Sequence, residues 1–181
     1  MRWEFRPHVD RANPILALIG SPTELTKLQS DRLESQSGVD LITVDDPASD
    51  VSQLLSRLRA SAEVGKTVIG IRTTSRDGSA PDPLHASQML ALIIDLAVEC
   101  ADSMQFDGIY ASGGDVAFAV LDALGARGYE VENEVVPLAV SGKLVGGPHD
   151  GLGFATKGGL VGDADAAVEC INQLRSRIRQ S

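Results

Sequence analysis

Residues 15–22 have the sequence Ile-Leu-Ala-Leu-Ile-Gly-Ser-Pro. Five consecutive apolar residues closed by a turn sequence are typical of a strand buried in a parallel sheet. After the turn, Leu25, Leu28 and Leu33 recur at near-helical spacing. This stretch therefore predicts a strand, a turn and a helix, which is the repeating unit of an α/β fold.

The same alternation continues through the first two thirds of the chain. Apolar runs predict further strands at 39–44, 67–71 and 108–111. Helical spacing of apolar residues predicts further helices at about 47–63, 84–104 and 116–124. Four strand–helix units of this kind favour right-handed crossovers between strands of one sheet.

The last third of the chain has a different pattern. Short strands separated by glycine-rich turns are predicted at 129–136, 138–140 and 154–156, and a closing helix at about 164–178. The fold class expected is therefore α/β: a Rossmann-like parallel or mixed sheet sandwiched by helices, with a β-rich segment near the C-terminal third. Residues 1–14 are predicted to be an arm or linker, and residues 15–181 a single α/β domain.

The charge balance argues against two classes of partner. Of 181 residues, 16 are Lys or Arg and 25 are Asp or Glu, which gives a formal net charge of −9. Nucleic acids and anionic membrane surfaces favour basic proteins, so neither is expected as the main partner. A compact phosphate-bearing ligand remains compatible with this charge, because backbone N–H groups and one or two cations suffice to hold it.

Targeting and cysteine usage point to the cytoplasm. Residues 1–14 contain no apolar stretch of signal-peptide length, and Asp95 interrupts the longest apolar helix pattern. Cys100 and Cys170 are the only cysteines, and both lie inside apolar helical patterns. Neither a disulfide framework nor a cysteine-ligated zinc site is expected, and a reducing compartment is favoured.

Three glycine-containing turns that each leave a predicted strand are the candidate ligand-binding segments. Gly20-Ser21-Pro22 offers N–H groups and a hydroxyl to an anion, although Ser21 equally suits a helix N-cap with proline next to it. Ser112-Gly113-Gly114-Asp115 removes side chains where a ligand could approach the backbone, with Asp115 as a helix cap in the alternative. If the strands that carry them are neighbours, both turns flank one crevice.

The third turn lies within 156–163, between the last predicted strand and the closing helix. Gly158 and Gly159 would let the loop close over a ligand, and the Lys157 ammonium would neutralise phosphate charge. The alternative is a flexible loop with a solvated lysine. Three glycine-rich turns of this kind, all offering backbone N–H groups, are more than we expect in loops that serve only to reverse the chain.

Other candidate motifs are weaker. Residues 60–67, Ala-Ser-Ala-Glu-Val-Gly-Lys-Thr, match a loose phosphate-loop pattern, but the segment leaves a helix and enters a strand, the reverse of what a phosphate loop needs. His8, His85 and His149 are too far apart in sequence to suggest a metal site. The 73–75 loop could line the cleft or be a plain turn.

The three turns together resemble a known family. The segments at 20–29, 112–117 and 156–162 occur in the order and spacing found in the C-terminal nucleotide-binding domain of the four-carbon acid sugar kinases, and the likeness runs from about 13 to 174. Those kinases bind a sugar acid in an N-terminal domain and ATP in the C-terminal one. The resemblance implies that the nucleotide is surrounded by Ser21, Ser112, Gly113, Gly114, Asp115, Lys157, Gly158 and Gly159.

The resemblance also implies an activity and its requirements. The chain would be the ATP-binding part of a phosphotransferase that uses Mg²⁺ and transfers the γ-phosphoryl group to a hydroxyl of a four-carbon acid sugar, which another domain or chain would bind. Thr26 and Gln29 fall on the family pattern, and helix packing explains them equally well. Two alternatives stay open: a non-catalytic regulatory module that binds a nucleotide or phosphorylated metabolite, and an α/β scaffold. A homodimer is also open.

Overall fold

The computed structural model describes residues 12–74 and 82–178. Within these ranges it contains seven strands and five helices. In chain order these are β1 (Ile15–Ile19), α1 (Glu24–Glu34), β2 (Val39–Val44), α2 (Val51–Glu63), β3 (Val68–Thr73), α3 (Pro83–Ser103), β4 (Gly108–Ser112), α4 (Gly114–Ala123), β5 (Gly128–Val136), β6 (Ala139–Val145), β7 (Gly153–Lys157) and α5 (Ala166–Ile178).

The strands form one mixed sheet in the order β2-β3-β1-β4-β7-β6-β5. Neighbouring strands from β2 to β7 are parallel, whereas β6 runs antiparallel to both β7 and β5. The β-rich tail predicted for the last third is therefore the β5-β6-β7 end of the sheet. This confirms the predicted α/β class with a mixed sheet.

Helices cover both faces of the sheet. Helix α3 contacts both α2 and α4 on one face, and α1 and α5 contact each other on the opposite face. The alternation along β1 divides its side chains between the two sides: Leu16 and Leu18 join the core under α2–α4, and Ile15, Ala17 and Ile19 join the core under α1 and α5.

The connections that follow β1 and β4 lead to opposite faces of the sheet. The two strands are adjacent, but β1 leads into α1 on one face and β4 leads into α4 on the other. The segments that follow the two strands therefore lead to opposite faces and leave a crevice between them, which is where open α/β sheets bind their ligands. The predicted proximity of the first two turns follows from this arrangement.

The first two helices begin at other residues than predicted, because Thr23 and Asp50 cap their N-termini. The first helix does not begin at Ser21-Pro22: Thr23 is the N-cap and accepts a hydrogen bond from the Thr26 N–H. The second helix begins at Val51 and not near residue 47, because Asp50 accepts from two N–H groups of its first turn. By contrast, β1 and β2 have the predicted bounds.

The 60–67 segment has the structural role that its context predicts. It closes α2 and leads into β3, and Gly65 has a φ of 88°, a left-handed conformation suited to glycine after a helix. The Lys66 ammonium lies 3.4 Å from the Val39 carbonyl oxygen. The segment is therefore not a phosphate loop.

Helix α3 is long and apolar enough, by length and composition alone, to cross a membrane, and no other helix in the described ranges is. In this structure its Leu92, Ile93 and Leu96 side chains are buried in the core shared with α2, α4 and the sheet. A helix that is apolar around much of its circumference is also typical of a protein core. Cys100 of this helix and Cys170 of α5 are both buried, and neither forms a disulfide.

Candidate functional site

A cavity of about 290 Å³ lies at the carboxyl ends of β1, β3 and β4. Five of the eight predicted site residues line it: Ser21, Gly113, Gly114, Asp115 and Gly159. The three turns that the sequence singled out therefore meet at one place. Thr73 and Thr74 also line the cavity, as the sequence allowed, whereas Ser75 lies outside the described residues.

The first turn is held in place by the second. A Cβ added at Gly20 would lie 2.4 Å from a methyl carbon of Val116, so only glycine lets the β1 exit pack on α4. Because Thr23 caps α1, Ser21 is not needed for that role and lies on the cavity wall. The competing interpretation of Ser21 as the N-cap is wrong.

The second turn exposes the start of α4 to the cavity. Gly113, the N-cap residue, has a φ of 112° and a ψ of 130°, a conformation that L side chains rarely adopt, and no side chain caps this helix. Thr23, Asp50 and Asp82 cap α1, α2 and α3 with side-chain oxygens. The first N–H groups of α4 therefore lack the side-chain partner that those of α1, α2 and α3 have, and Asp115 does not serve as the cap.

The third turn packs directly on the first. A Cβ at Gly159 would lie 2.1 Å from Ser21 Oγ and 2.9 Å from Ser21 Cβ. Glycine at this position brings the loop backbone against the Ser21 side chain. The cavity is thereby bounded on two sides by backbone that carries no side chain, a surface that favours ligands recognised through N–H groups.

Three predicted site residues, Ser112, Lys157 and Gly158, are not among those lining this cavity. Ser112 and Lys157 are register partners of one another, and Ser112 is also a partner of Ile19, so these side chains share the α1/α5 face of the sheet. Lys157 is only 2% exposed, and its Nζ donates to the Gly158 carbonyl oxygen at 3.0 Å. Burial lowers the pKa of this ammonium.

The Ser112 hydroxyl is also buried. Among the described residues no group satisfies its Oγ in hydrogen-bond geometry. Its backbone has a clear role, because the Ser112 carbonyl accepts from the Gly20 N–H at 3.2 Å and links the first two turns. That Ser112 and Lys157 contact the ligand stays a prediction.

The opposite wall of the cavity is apolar and was not predicted as part of the site. It consists of the N-terminal half of α3, where Ala86, Met89, Leu90 and Ile93 face the cavity together with His85. The spacing of the four apolar residues is that of an ordinary core-facing helix stripe, so periodicity could not mark them as site residues. Only the position of α3 beside the β1 and β4 exits does so.

A smaller hollow of about 200 Å³ adjoins the first turn and shares Ser21, Pro22, Thr73 and Thr74 with the main cavity. Arg72 lines this hollow, but its guanidinium pairs with Asp31 and, at 3.0 Å, with Glu34. Lys27 also lines it and is exposed on α1. Lys27 therefore supplies the more accessible positive charge near the cavity, and sequence patterning did not single it out.

The residues present do not form a preassembled metal centre. Within 12–74 and 82–178 there is no group of three or more His, Cys, Asp or Glu side chains arranged to hold a metal ion. Of the described residues that line the main cavity, Asp115 is the one with a carboxylate. A single carboxylate is too few protein donors to hold a metal ion without further ligands.

The sequence of the chain matches those of known proteins. A family model described as a nucleotide-binding C-terminal domain matches residues 16–167. D-erythronate kinase from Heliobacterium modesticaldum is 36% identical to this chain, over 96% of the chain and 44% of that kinase. D-threonate kinase from Salmonella typhimurium is 27% identical, over 87% of the chain and 42% of that kinase. The chain thus spans less than half the length of these curated relatives.

Solved structures agree with these matches. A domain of unknown function from Bordetella bronchiseptica, crystallised with citrate as a domain-swapped dimer, superposes with a TM-score of 0.76 at 26% identity, covering 91% of this chain and 41% of that one. A putative tRNA synthase from Salmonella typhimurium shares the fold, with a TM-score of 0.69 at 17% identity over 90% of this chain and 41% of that one. With most of its length matched by the family model, the chain belongs to the nucleotide-binding C-terminal domain family.

Proposed function

We propose that this chain binds ATP in the cavity between the three turns and is the nucleotide-binding part of a four-carbon acid sugar kinase. The observation that carries the proposal is the uncapped start of α4, which follows Gly113-Gly114 and opens on the same cavity as Ser21 and Gly159. Helix N-termini with unsatisfied N–H groups favour phosphate, because the N–H donors and the helix dipole act together.

The glycines support phosphate binding at this place. A Cβ at Gly114 would meet no atom within 4 Å, so the space beside its backbone is open. A phosphate group can therefore approach the first N–H groups of α4 without displacing protein atoms. Lys27, at the rim of the adjoining hollow, adds a positive charge, and the apolar α3 wall suits a nucleobase.

The site residues fit Mg²⁺ in the way that nucleotide enzymes use it. Mg²⁺ is commonly held by one or two carboxylates together with substrate phosphates, and Asp115 provides one carboxylate on the cavity wall. When bound, the ion would neutralise charge on the phosphate oxygens. In this proposal Ser21, Gly113, Gly114 and Gly159 hold the phosphates, and Asp115 holds the ion.

The acceptor and the remaining machinery lie outside this cavity. Phosphoryl transfer needs a positioned acceptor hydroxyl, and we assign the four-carbon acid sugar to another domain or chain, as the D-erythronate and D-threonate kinase names of the relatives suggest. Residues 1–14 would then be the arm or linker to that part, with the nucleotide-binding domain over 15–181. We expect a cytoplasmic protein without nucleic acid or membrane partners, and a homodimer is compatible with the domain-swapped relative.

A transfer assay tests the kinase proposal. The chain is fused behind the part of Heliobacterium D-erythronate kinase that it does not match, and phosphate transfer from ATP to D-erythronate and D-threonate is measured with Mg²⁺. We expect transfer by the fusion and none by the chain alone. A fusion that binds ATP but transfers nothing would contradict the kinase assignment and favour the regulatory module.

A further inference from the structure

Four side chains donate hydrogen bonds to the backbone of the third turn. We call residues 158–163 the glycine loop. The hydroxyls of Thr23 and Thr26, at the start of α1, each lie 2.9 Å from the Gly159 carbonyl oxygen. They reach it across 136 and 133 residues of sequence, so this contact joins α1 to the far end of the chain.

Two further donors hold the rest of the loop. The Gln29 side-chain amide donates to the Val161 carbonyl at 2.9 Å and to the Asp163 carbonyl at 2.6 Å. The Lys157 ammonium donates to the Gly158 carbonyl at 3.0 Å. Four carbonyls of a six-residue loop are therefore fixed by side chains from α1 and β7.

Three of the four donors are almost completely buried. Thr26, Gln29 and Lys157 are 2%, 1% and 2% exposed. Residues of these types are mostly exposed in proteins, and burying their polar groups carries a free-energy cost that hydrogen bonds must offset. Their presence on one face of the loop indicates that its backbone orientation matters beyond simple packing.

The direction of the carbonyls fixes the direction of the N–H groups. Because the peptide group is planar and trans, the N–H of a residue points opposite to the carbonyl of the residue before it. The Gly158 and Gly159 carbonyls point to Lys157 and α1, so the N–H groups of Gly159 and Leu160 point away from them. Within the described residues neither N–H donates to a backbone acceptor.

We infer that Thr23, Thr26, Gln29 and Lys157 are positioning residues that present the Gly159 and Leu160 N–H groups to the phosphates of the bound nucleotide. This inference rests on the proposed function, because it assumes that phosphate lies in the cavity that Gly159 lines. Lys157 acts through the Gly158 carbonyl and not by contact with phosphate. The loop is thereby preorganised to bind an anion.

The test compares ligands with and without phosphate. ATP and adenosine are titrated into wild type, Gln29→Met, Thr26→Val and Thr26→Ser, with affinity taken from calorimetry or from amide shifts in ¹⁵N-labelled protein. Removing the amide that donates to two loop carbonyls should weaken ATP binding roughly tenfold in Gln29→Met, which corresponds to about 1.4 kcal/mol. Adenosine binding should stay unchanged, and the ATP-induced shifts of the Gly159 and Leu160 amides should shrink.

The threonine pair gives a matched control at one position. Thr26→Ser keeps the hydroxyl and should keep the ATP affinity of wild type, whereas Thr26→Val has the same shape without the hydroxyl and should lose affinity for ATP only. If Gln29→Met does not fold, the comparison of Thr26→Ser with Thr26→Val tests the inference on its own. Equal losses for ATP and adenosine, or no loss at all, would overturn the inference; a wild-type chain that binds no ATP would instead overturn the proposed function and the inference with it.

Discussion

Gly114→Val will abolish ATP binding in a chain that still folds. A Cβ at Gly114 meets no atom within 4 Å, and Gly114 is not among the glycines with positive φ, so valine fits this backbone without a clash. The residue lines the cavity in the first turn of α4, where we place a phosphate group. Two methyl groups would occupy that space, and we expect ATP affinity to fall at least about 100-fold, or ~2.7 kcal/mol.

The measurement is a calorimetric titration of wild type and variant with ATP, accompanied by urea unfolding to verify the fold. Gly128→Val is the matched control, because Gly128 begins the edge strand β5, lies outside the cavity, and has its nearest atom at 3.9 Å from an added Cβ. The control should bind ATP as wild type does. Unchanged affinity in Gly114→Val would show that the nucleotide does not use the start of α4.

Gly70→Ala will strongly destabilise the fold. Gly70 lies in β3, between β2 and β1, and pairs with Ala17 and Leu41. A Cβ there would lie 1.9 Å from the Ala17 carbonyl oxygen and 2.7 Å from its carbonyl carbon. Because the obstacle is backbone of the central strand β1 and not a flexible side chain, we expect a loss of about 3 kcal/mol or more.

Urea unfolding measures this loss as a shift of the midpoint. Gly128→Ala serves as the reference, since its added methyl group has room on the edge strand. Such a loss would be a large part of the about 5–15 kcal/mol that stabilises a typical domain. If Gly70→Ala were as stable as Gly128→Ala, the backbone of β1 could not lie as close to Gly70 as this structure places it.

The strands could be predicted from the sequence because burial on both faces leaves an unmistakable pattern. Ile15–Ile19 and Val39–Val44 are uninterrupted or nearly uninterrupted apolar runs, and their bounds are as predicted. Helix starts were harder, since several residues near each start are able to cap. Ser21 and Thr23 both have suitable hydroxyls, and only the three-dimensional course of the chain decides between them.

The glycine turns of the candidate site were identifiable because glycine clusters at strand exits have a physical reason, namely close approach of backbone. The apolar wall at Met89 and Leu90 could not be separated from ordinary core packing. The orientation of Lys157 was also hidden, because its lysine–glycine context suggests an exposed cation, whereas its register with Ser112 places it beneath the loop. Alternation along the strand sets the face that its last residue occupies, whereas the helix that covers this face is set by the topology of the sheet.

The most direct test of the central claim is to titrate the ¹⁵N-labelled chain with ATP and Mg²⁺ and to record which backbone amides shift. Saturable shifts are predicted for Gly114, Asp115 and Val116 at the start of α4 and for Gly159 in the third turn, with amides of the edge strand β5 unaffected. At a ligand concentration of 100 times Kd the chain should also gain about 2.7 kcal/mol of stability. Shifts confined to another part of the chain, or no saturable shifts, would contradict nucleotide binding at this crevice.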